Sequence, residues 1–255
     1  MPETIPKLSD RGQGRAVLLL HGGGGPFTLF GLSKNLAAKA RVLLPTHPGF
    51  DGTPRPDHLD SAAALARFYL AMIEHLGLDE VVLIGSSIGG WVAAEMAVGG
   101  GSRIAGLILL NPVGIKVPGE SVVDTSGMTR PELVKLASHN PQAILANMPP
   151  PTPELVAMQA GNAASLAAYD HGESMMAEGL REKLAAVTAP ALVLWGESDG
   201  LATPAYGKAY SAAFANGSFE LVAEAGHLPQ IEQPDRVLAR IGEFILTLDE
   251  AQNPS

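Results

Sequence analysis

Ser87 stands in Gly85-Ser86-Ser87-Ile88-Gly89, and of the two serines only it has glycine two residues away on both sides. The pentapeptide follows the apolar run Val81-Val82-Leu83-Ile84 and leads into Gly90-Trp91-Val92-Ala93-Ala94-Glu95-Met96-Ala97. That order predicts strand, sharp turn, helix, with the serine hydroxyl presented as a nucleophile at the tip of a strained turn. Glycines suit the flanks, because side chains at 85 or 89 would collide with backbone around the serine. A serine hydroxyl is a weak nucleophile until a neighbouring base takes its proton. Two later turns offer partners. Gly196-Glu197-Ser198-Asp199 follows one apolar run, and Ala225-Gly226-His227-Leu228-Pro229 follows the next. Asp199 is the preferred carboxylate from its place after the strand, with Glu197 as rival and Asp170 as a distant third.

These turns need a frame that brings strand ends together. Short apolar runs at 16–20, 41–44, 81–84, 106–110, 191–195 and 218–222 read as buried parallel strands. Helical patterns lie between most of them. Residues 60–76 are alanine-rich with apolar residues at helical spacing, and Gly77 is their stop. Thr203-Pro204 reads as an N-cap and first helical residue. Pro234 opens a last helix, in which Val237, Leu238, Ile241, Phe244, Ile245 and Leu248 form one stripe. The alternation implies an α/β fold, a mostly parallel open sheet of about six to seven strands with helices on both faces. Functional loops of such a sheet gather at the carboxyl ends of the strands, where Ser87, Asp199 and His227 all fall. From 113 to 186 the alternation stops. Helical pieces at 129–139, 141–147, 152–168 and 171–186 take over, with Pro149-Pro150-Pro151 as a break. The expected organisation is a core of residues 1–112 and 187–255, with 113–186 as an inserted helical cap over the strand ends.

Around the Ser87 turn, further motifs stand in order. They are His21-Gly22-Gly23-Gly24-Gly25-Pro26 after the first strand, Pro48-Gly49-Phe50-Asp51-Gly52 after the second, Gly196-Glu197-Ser198-Asp199, and Gly226-His227 followed by Glu232 and Pro234. With these motifs the chain resembles the α/β-hydrolase superfamily over nearly its whole length, as a serine hydrolase of carboxylesterase type with a helical cap. The resemblance implies that Ser87 attacks a carbonyl carbon, that His227 takes its proton and returns it to the leaving group, and that Asp199 holds the imidazole. It implies an oxyanion hole made by the backbone N–H groups of Ile88 and Gly23, with Gly24 as alternative to Gly23. His21 is expected beside that loop in a structural role. Phe27, Met148 and Leu228 are candidates to touch substrate, set against a packing role for each. Only twenty residues precede His21, and they look little like the family's usual leading pair of antiparallel strands. At most one edge strand is expected there.

Composition removes several classes. The net charge is −9 and no basic run occurs, which disfavours nucleic acid, anionic membrane surfaces and polyanionic substrates. The absence of cysteine excludes disulfides, thiolate metal sites and a cysteine nucleophile, and fits a cytoplasmic location. The first seven residues hold no apolar leader core, and no apolar run approaches bilayer length. Histidines lack metal-ligand spacing, so no metal is implied, and no cofactor either. The glycine loop is not a dinucleotide fingerprint, because Phe27 occupies the place of the last glycine, nor a phosphate loop, because no Gly-Lys-Ser/Thr follows. No interface motif indicates an oligomeric state.

The expected reaction is hydrolysis of a small, neutral to apolar carboxylic ester through an acyl-enzyme. Carbon–carbon bond hydrolysis of a ring-cleavage product is the competing chemistry; its enzymes usually carry an aromatic residue after the histidine, where Leu228 stands here. Lactonase or amidase activity is a further alternative. Outside enzymes, the same residues would serve a small-molecule sensor.

Overall fold

The computed structural model describes residues 6–148 and 150–252. Residues 1–5, part of the N-terminal reading, and Pro149 of the triple proline lie outside the described residues. The sheet is built from β1 (Leu8–Arg11), β2 (Ala16–Leu20), β3 (Arg41–Pro45), β4 (Val81–Ser86), β5 (Ile104–Leu110), β8 (Ala191–Gly196) and β9 (Gly217–Val222). Its order is β1-β3-β2-β4-β5-β8-β9. Six strands are parallel, and β1 alone runs antiparallel, Leu8 facing Pro45 and Arg11 facing Val42 on β3. β1 is the edge strand ahead of β2, within the limit of one expected there.

Strand periodicity splits the core. Leu18, Leu20 and Leu83 point to one side of the sheet, and Val17, Leu19, Val82 and Ile84 to the other, all fully buried. Helices cover both sides. On the first lie α2 (Ala62–His75), α3 (Ile88–Gly100) and α8 (Pro204–Ser211); on the second lie α1 (Phe30–Leu36) and α10 (Pro234–Gln252). Thr203 caps α8, its hydroxyl accepting the Tyr206 N–H at 3.2 Å. Helix α1, at seven residues, is too short to show a stripe and is absent from the expected elements.

Between β5 and β8 the chain forms α4 (Arg130–Ala137), α5 (Pro141–Ala146), α6 (Pro153–Asp170) and α7 (Leu180–Leu184). Two features depart from the sequence pattern. Two-residue strands, β6 (Gly114–Ile115) and β7 (Met176–Ala177), pair with each other where no strand was expected. The helix expected over 171–186 shrinks to α7, because His171, Gly172, Ser174 and Met175 all take left-handed backbone conformations (φ 53°, 78°, 53° and 59°). The Asp170 carboxylate accepts the N–H groups of Ser174 and Met175 and fixes that turn. Ile115, Ala177, Leu180 and Leu184 pack into the main core. Among the described residues, no helix is long and apolar enough to cross a membrane.

Candidate active site

The sheet reverses its winding between β2 and β4: the chain runs outward from β2 to β3, then returns to the other side through β4. Loops leaving β2 and β4 diverge at such a point and open a crevice. The β2 loop is His21–Pro26, and the β4 loop is the Ser87 turn.

Ser87 has φ 56° and ψ −121°, conformation that a side chain tolerates only under constraint. The constraint is visible. Its N–H donates to Leu110 O at 3.0 Å, and its carbonyl accepts from Gly90 N–H at 2.9 Å and Trp91 N–H at 3.2 Å. A Cβ on Gly85 would run into the Gly89 carbonyl and lie 2.7 Å from Gly90 Cα. A Cβ on Gly89 would meet the Leu20 carbonyl and lie 2.6 Å from His21 O. The first glycine thus closes the turn on itself, as the sequence suggested. The second serves the neighbouring β2 loop. Ile88 opens α3, so its N–H has no intrahelical acceptor.

The β2 loop is set by two buried histidines. His47 N–H donates to His21 Nε2 at 2.9 Å, so His21 carries its proton on Nδ1 and donates to Gly22 O at 2.8 Å. His47 Nε2–H donates to His21 O at 2.9 Å, which leaves Nδ1 to accept the Tyr69 hydroxyl at 2.6 Å. The rings lie against each other at a 32° tilt with centroids 3.8 Å apart. Burial holds both below the ordinary imidazole value: His47 is pushed down to about 4, and His21 well below its usual range, with His47 adding to the effect. Both are neutral ring spacers, the structural role expected of His21. Gly25 N–H turns back to Gly22 O at 3.1 Å. A Cβ on Gly22 would lie 3.1 Å from Ser87 Cβ, and one on Gly23 would lie 2.9 Å from Leu166 Cδ2. Gly22 therefore abuts the serine, and a leucine of α6 roofs Gly23.

Asp199 and His227 follow β8 and β9. His227 Nδ1–H donates to Asp199 Oδ2 at 2.8 Å, which leaves Nε2 with its lone pair. Both residues are buried, at 7% and 6% exposure. Asp199 Oδ2 also accepts Asn111 Nδ2–H at 2.7 Å, and Oδ1 accepts Leu201 N–H at 2.8 Å. Burial works to raise the Asp199 carboxyl. The His227 ring and the hydrogen bonds from His227, Asn111 and Leu201 outweigh it, so the group lies below the ordinary carboxylate value. Of the rivals, Glu197 is exposed, and Asp170 is engaged in its turn with Ser174 and Met175.

The remaining candidates spread out. The Phe27 ring is 53% exposed beside Gly24 and Gly25. Leu228 is half-buried next to His227. Met148 lines a groove of about 710 Å³ with His139, Ile144, Ile231 and Glu232. Asn111 escaped sequence reasoning; at the end of an apolar strand, an isolated asparagine gives no spacing signal. Helix α6 stands where the sequence places a helix, at 152–168, but its docking face does not show there. Its docking face is Asn162, Ser165, Leu166 and Tyr169, at helical spacing but mostly polar. Tyr169 O–H donates to Pro48 O and Ser165 O–H to Gly49 O, both at 2.8 Å, and Asp51 N–H donates to Asn162 Oδ1 at 2.8 Å.

A doubly covered parallel sheet with a strained serine after one strand and a buried Asp–His pair after two others has the architecture of a hydrolase. The model of the "Alpha/beta hydrolase family" matches residues 17–240. The chain belongs to that family. A 2-hydroxy-6-oxononadienedioate/2-hydroxy-6-oxononatrienedioate hydrolase of Dechloromonas aromatica is 26% identical, over 93% of this chain and 89% of that protein. A 2-hydroxy-6-oxo-6-phenylhexa-2,4-dienoate hydrolase of Burkholderia cepacia is 36% identical, but the match spans 42% of this chain and 40% of that protein. Among solved structures, a thermophilic esterase from Thermogutta terrifontis superposes with TM-score 0.76 at 26% identity, covering 94% of this chain and 93% of that one. A meta-cleavage product hydrolase from Pseudomonas fluorescens IP01 shares the fold with TM-score 0.79 at 20% identity, covering 94% and 93%.

Proposed function

We propose that the protein hydrolyses small, neutral to apolar carboxylic esters through an acyl-enzyme. The observation that carries this reading is the His227–Asp199 bond, formed at the same carboxyl end of the sheet as a serine held in strained backbone. In the proposed cycle, Ser87 Oγ attacks the ester carbonyl while His227 Nε2 takes its proton. The N–H groups of Ile88 and Gly23, with Gly24 as alternative to Gly23, hold the resulting oxyanion. The imidazolium, stabilised by Asp199, gives its proton to the departing alcohol. Water then repeats the sequence on the acyl-serine and releases the acid. Residues 113–186 act as a cap, with Leu166 above Gly23 and Leu228 beside His227 as apolar walls, and Phe27 and Met148 as outer substrate contacts. The protein acts in the cytoplasm, without cofactor or metal.

Carbon–carbon hydrolysis is the second reading, favoured by the names of the relatives at 24–26% identity over most of the chain. Leu228 speaks against it, as does the apolar character of Leu166 and Leu228 toward a dicarboxylate. Hydrolysis of p-nitrophenyl esters from acetate to decanoate, with Ser87→Ala beside the wild type, tests the ester reading. Turnover of a 2-hydroxy-6-oxodienoate with none of any ester would replace it with the second.

A further inference from the structure

Glu232 ends α9 (Pro229–Glu232), one short helix beyond His227. Its Oε2 accepts Gly226 N–H at 2.7 Å, and its Oε1 accepts the N–H groups of His139 at 3.0 Å and Asn140 at 3.1 Å. One carboxylate thus gathers backbone donors from the His227 loop and from the turn that leaves α4. The same turn is bonded to both loops by its own backbone. Ala137 O accepts His227 N–H at 2.7 Å, and Leu136 O accepts Gly200 N–H at 3.1 Å, next to Asp199. His139 Nδ1 meets Ser198 Oγ at 2.8 Å. The fit has no slack: a Cβ on Gly226 would strike the Ala137 carbonyl and lie 2.7 Å from Ser138 Cα. Residues 136–140 therefore form a wedge between the loops of Asp199 and His227, and Glu232 fastens it.

We propose that Glu232 is a positioning residue for His227, clamping the inserted turn so that the imidazole stays seated on Asp199. The inserted segment is then part of what orients the base. The proposal rests on the reading of His227 as general base, but its placement claim can be tested separately.

The experiment compares Glu232→Ala and Glu232→Gln with the wild type in three readouts: kcat and KM on p-nitrophenyl acetate, the thermal midpoint, and the downfield proton resonance of His227 Nδ1–H. Glutamine keeps the shape but presents N–H groups to backbone N–H groups, so it carries the test if the alanine variant does not fold. The expected result is a loss of at least tenfold in kcat with KM within twofold, and a broadened or missing resonance. A lowered midpoint with kcat and resonance intact would reduce Glu232 to a structural tie and overturn the proposal, and so would a kcat loss with the resonance unmoved. If the wild type cleaves no substrate, the hydrolase reading fails, and the resonance alone decides the placement of His227.

Discussion

Asn111 Nδ2 and Asp199 Oδ2 stand 2.7 Å apart, tying the end of β5 to the loop after β8. The same oxygen holds His227, so amide and imidazole share one acceptor. Asn111 is itself pinned, its Oδ1 accepting Gly196 N–H at 3.0 Å and its N–H donating to Leu194 O at 3.0 Å. The carboxylate can therefore neither rotate away nor lose its ring partner without breaking a second bond.

Asn111→Ala should lower kcat by about 10–100-fold, since a hydrogen bond to a buried charge contributes about 1.5–3 kcal/mol. It should also raise the Asp199 pKa. A carboxyl whose folded pKa is depressed contributes stability that is present above its unfolded pKa and lost as pH falls through the folded one. Without the Asn111 donor that loss is smaller and is complete at a higher pH. Urea unfolding midpoints between pH 3 and 7 would show it, and superimposable curves would count against the assignment.

Ser87→Ala should abolish ester turnover while leaving the fold intact. Ser87→Gly should do the same and also stabilise the protein, because the φ of 56° ceases to be strained. Relief of about 1 kcal/mol corresponds to roughly 2–4 °C in Tm for a chain of this size. Calorimetry on the two variants measures the difference, and a glycine variant less stable than the alanine variant contradicts the strain argument.

Leu166 roofs Gly23 with a methyl 2.9 Å from where a Cβ would stand. Leu166→Ala should enlarge the space above the oxyanion loop and move the preferred acyl chain upward by about two carbons. The check is kcat/KM over the ester series. An unchanged optimum would place Leu166 outside the pocket.

His47, pushed down to about 4 by burial, makes stability pH-dependent. Between that value and the ordinary 6.5, the unfolded chain binds a proton that the folded one does not. Stability is full above 6.5 and should fall by about 3 kcal/mol on acidification to pH 4, with His21 acting in the same direction. His47→Gln should flatten this slope in urea titrations, at some cost in stability at pH 8.

The strands and the three site turns were legible because their signals are local. An apolar run, a glycine pair and a proline cap each act within a few residues. Asn111 was not legible, because its partners lie 85 and 88 positions away at Gly196 and Asp199. The docking face of α6 kept the spacing of a helix stripe but carries Asn162, Ser165 and Tyr169, so a search for apolar residues passes over it. The short α7 was misjudged in length because the left-handed turn after Asp170 is set by a side-chain carboxylate rather than by any proline.

The seat of α6 combines two side-chain contacts, Asn162 Nδ2–H donating to Asp51 Oδ1 at 3.3 Å and the Phe50 ring stacked on Tyr169, with main-chain atoms: the carbonyls of Pro48 and Gly49 and the N–H of Asp51. Every sequence supplies such atoms. Gly49 is constrained as well, since a Cβ there would strike Ser165 Oγ. The three hydrogen bonds to main-chain atoms do not depend on which side chains the rest of the loop carries. The roof over Gly23, Leu166 of the same helix, is thus anchored by bonds that do not involve its own side chain.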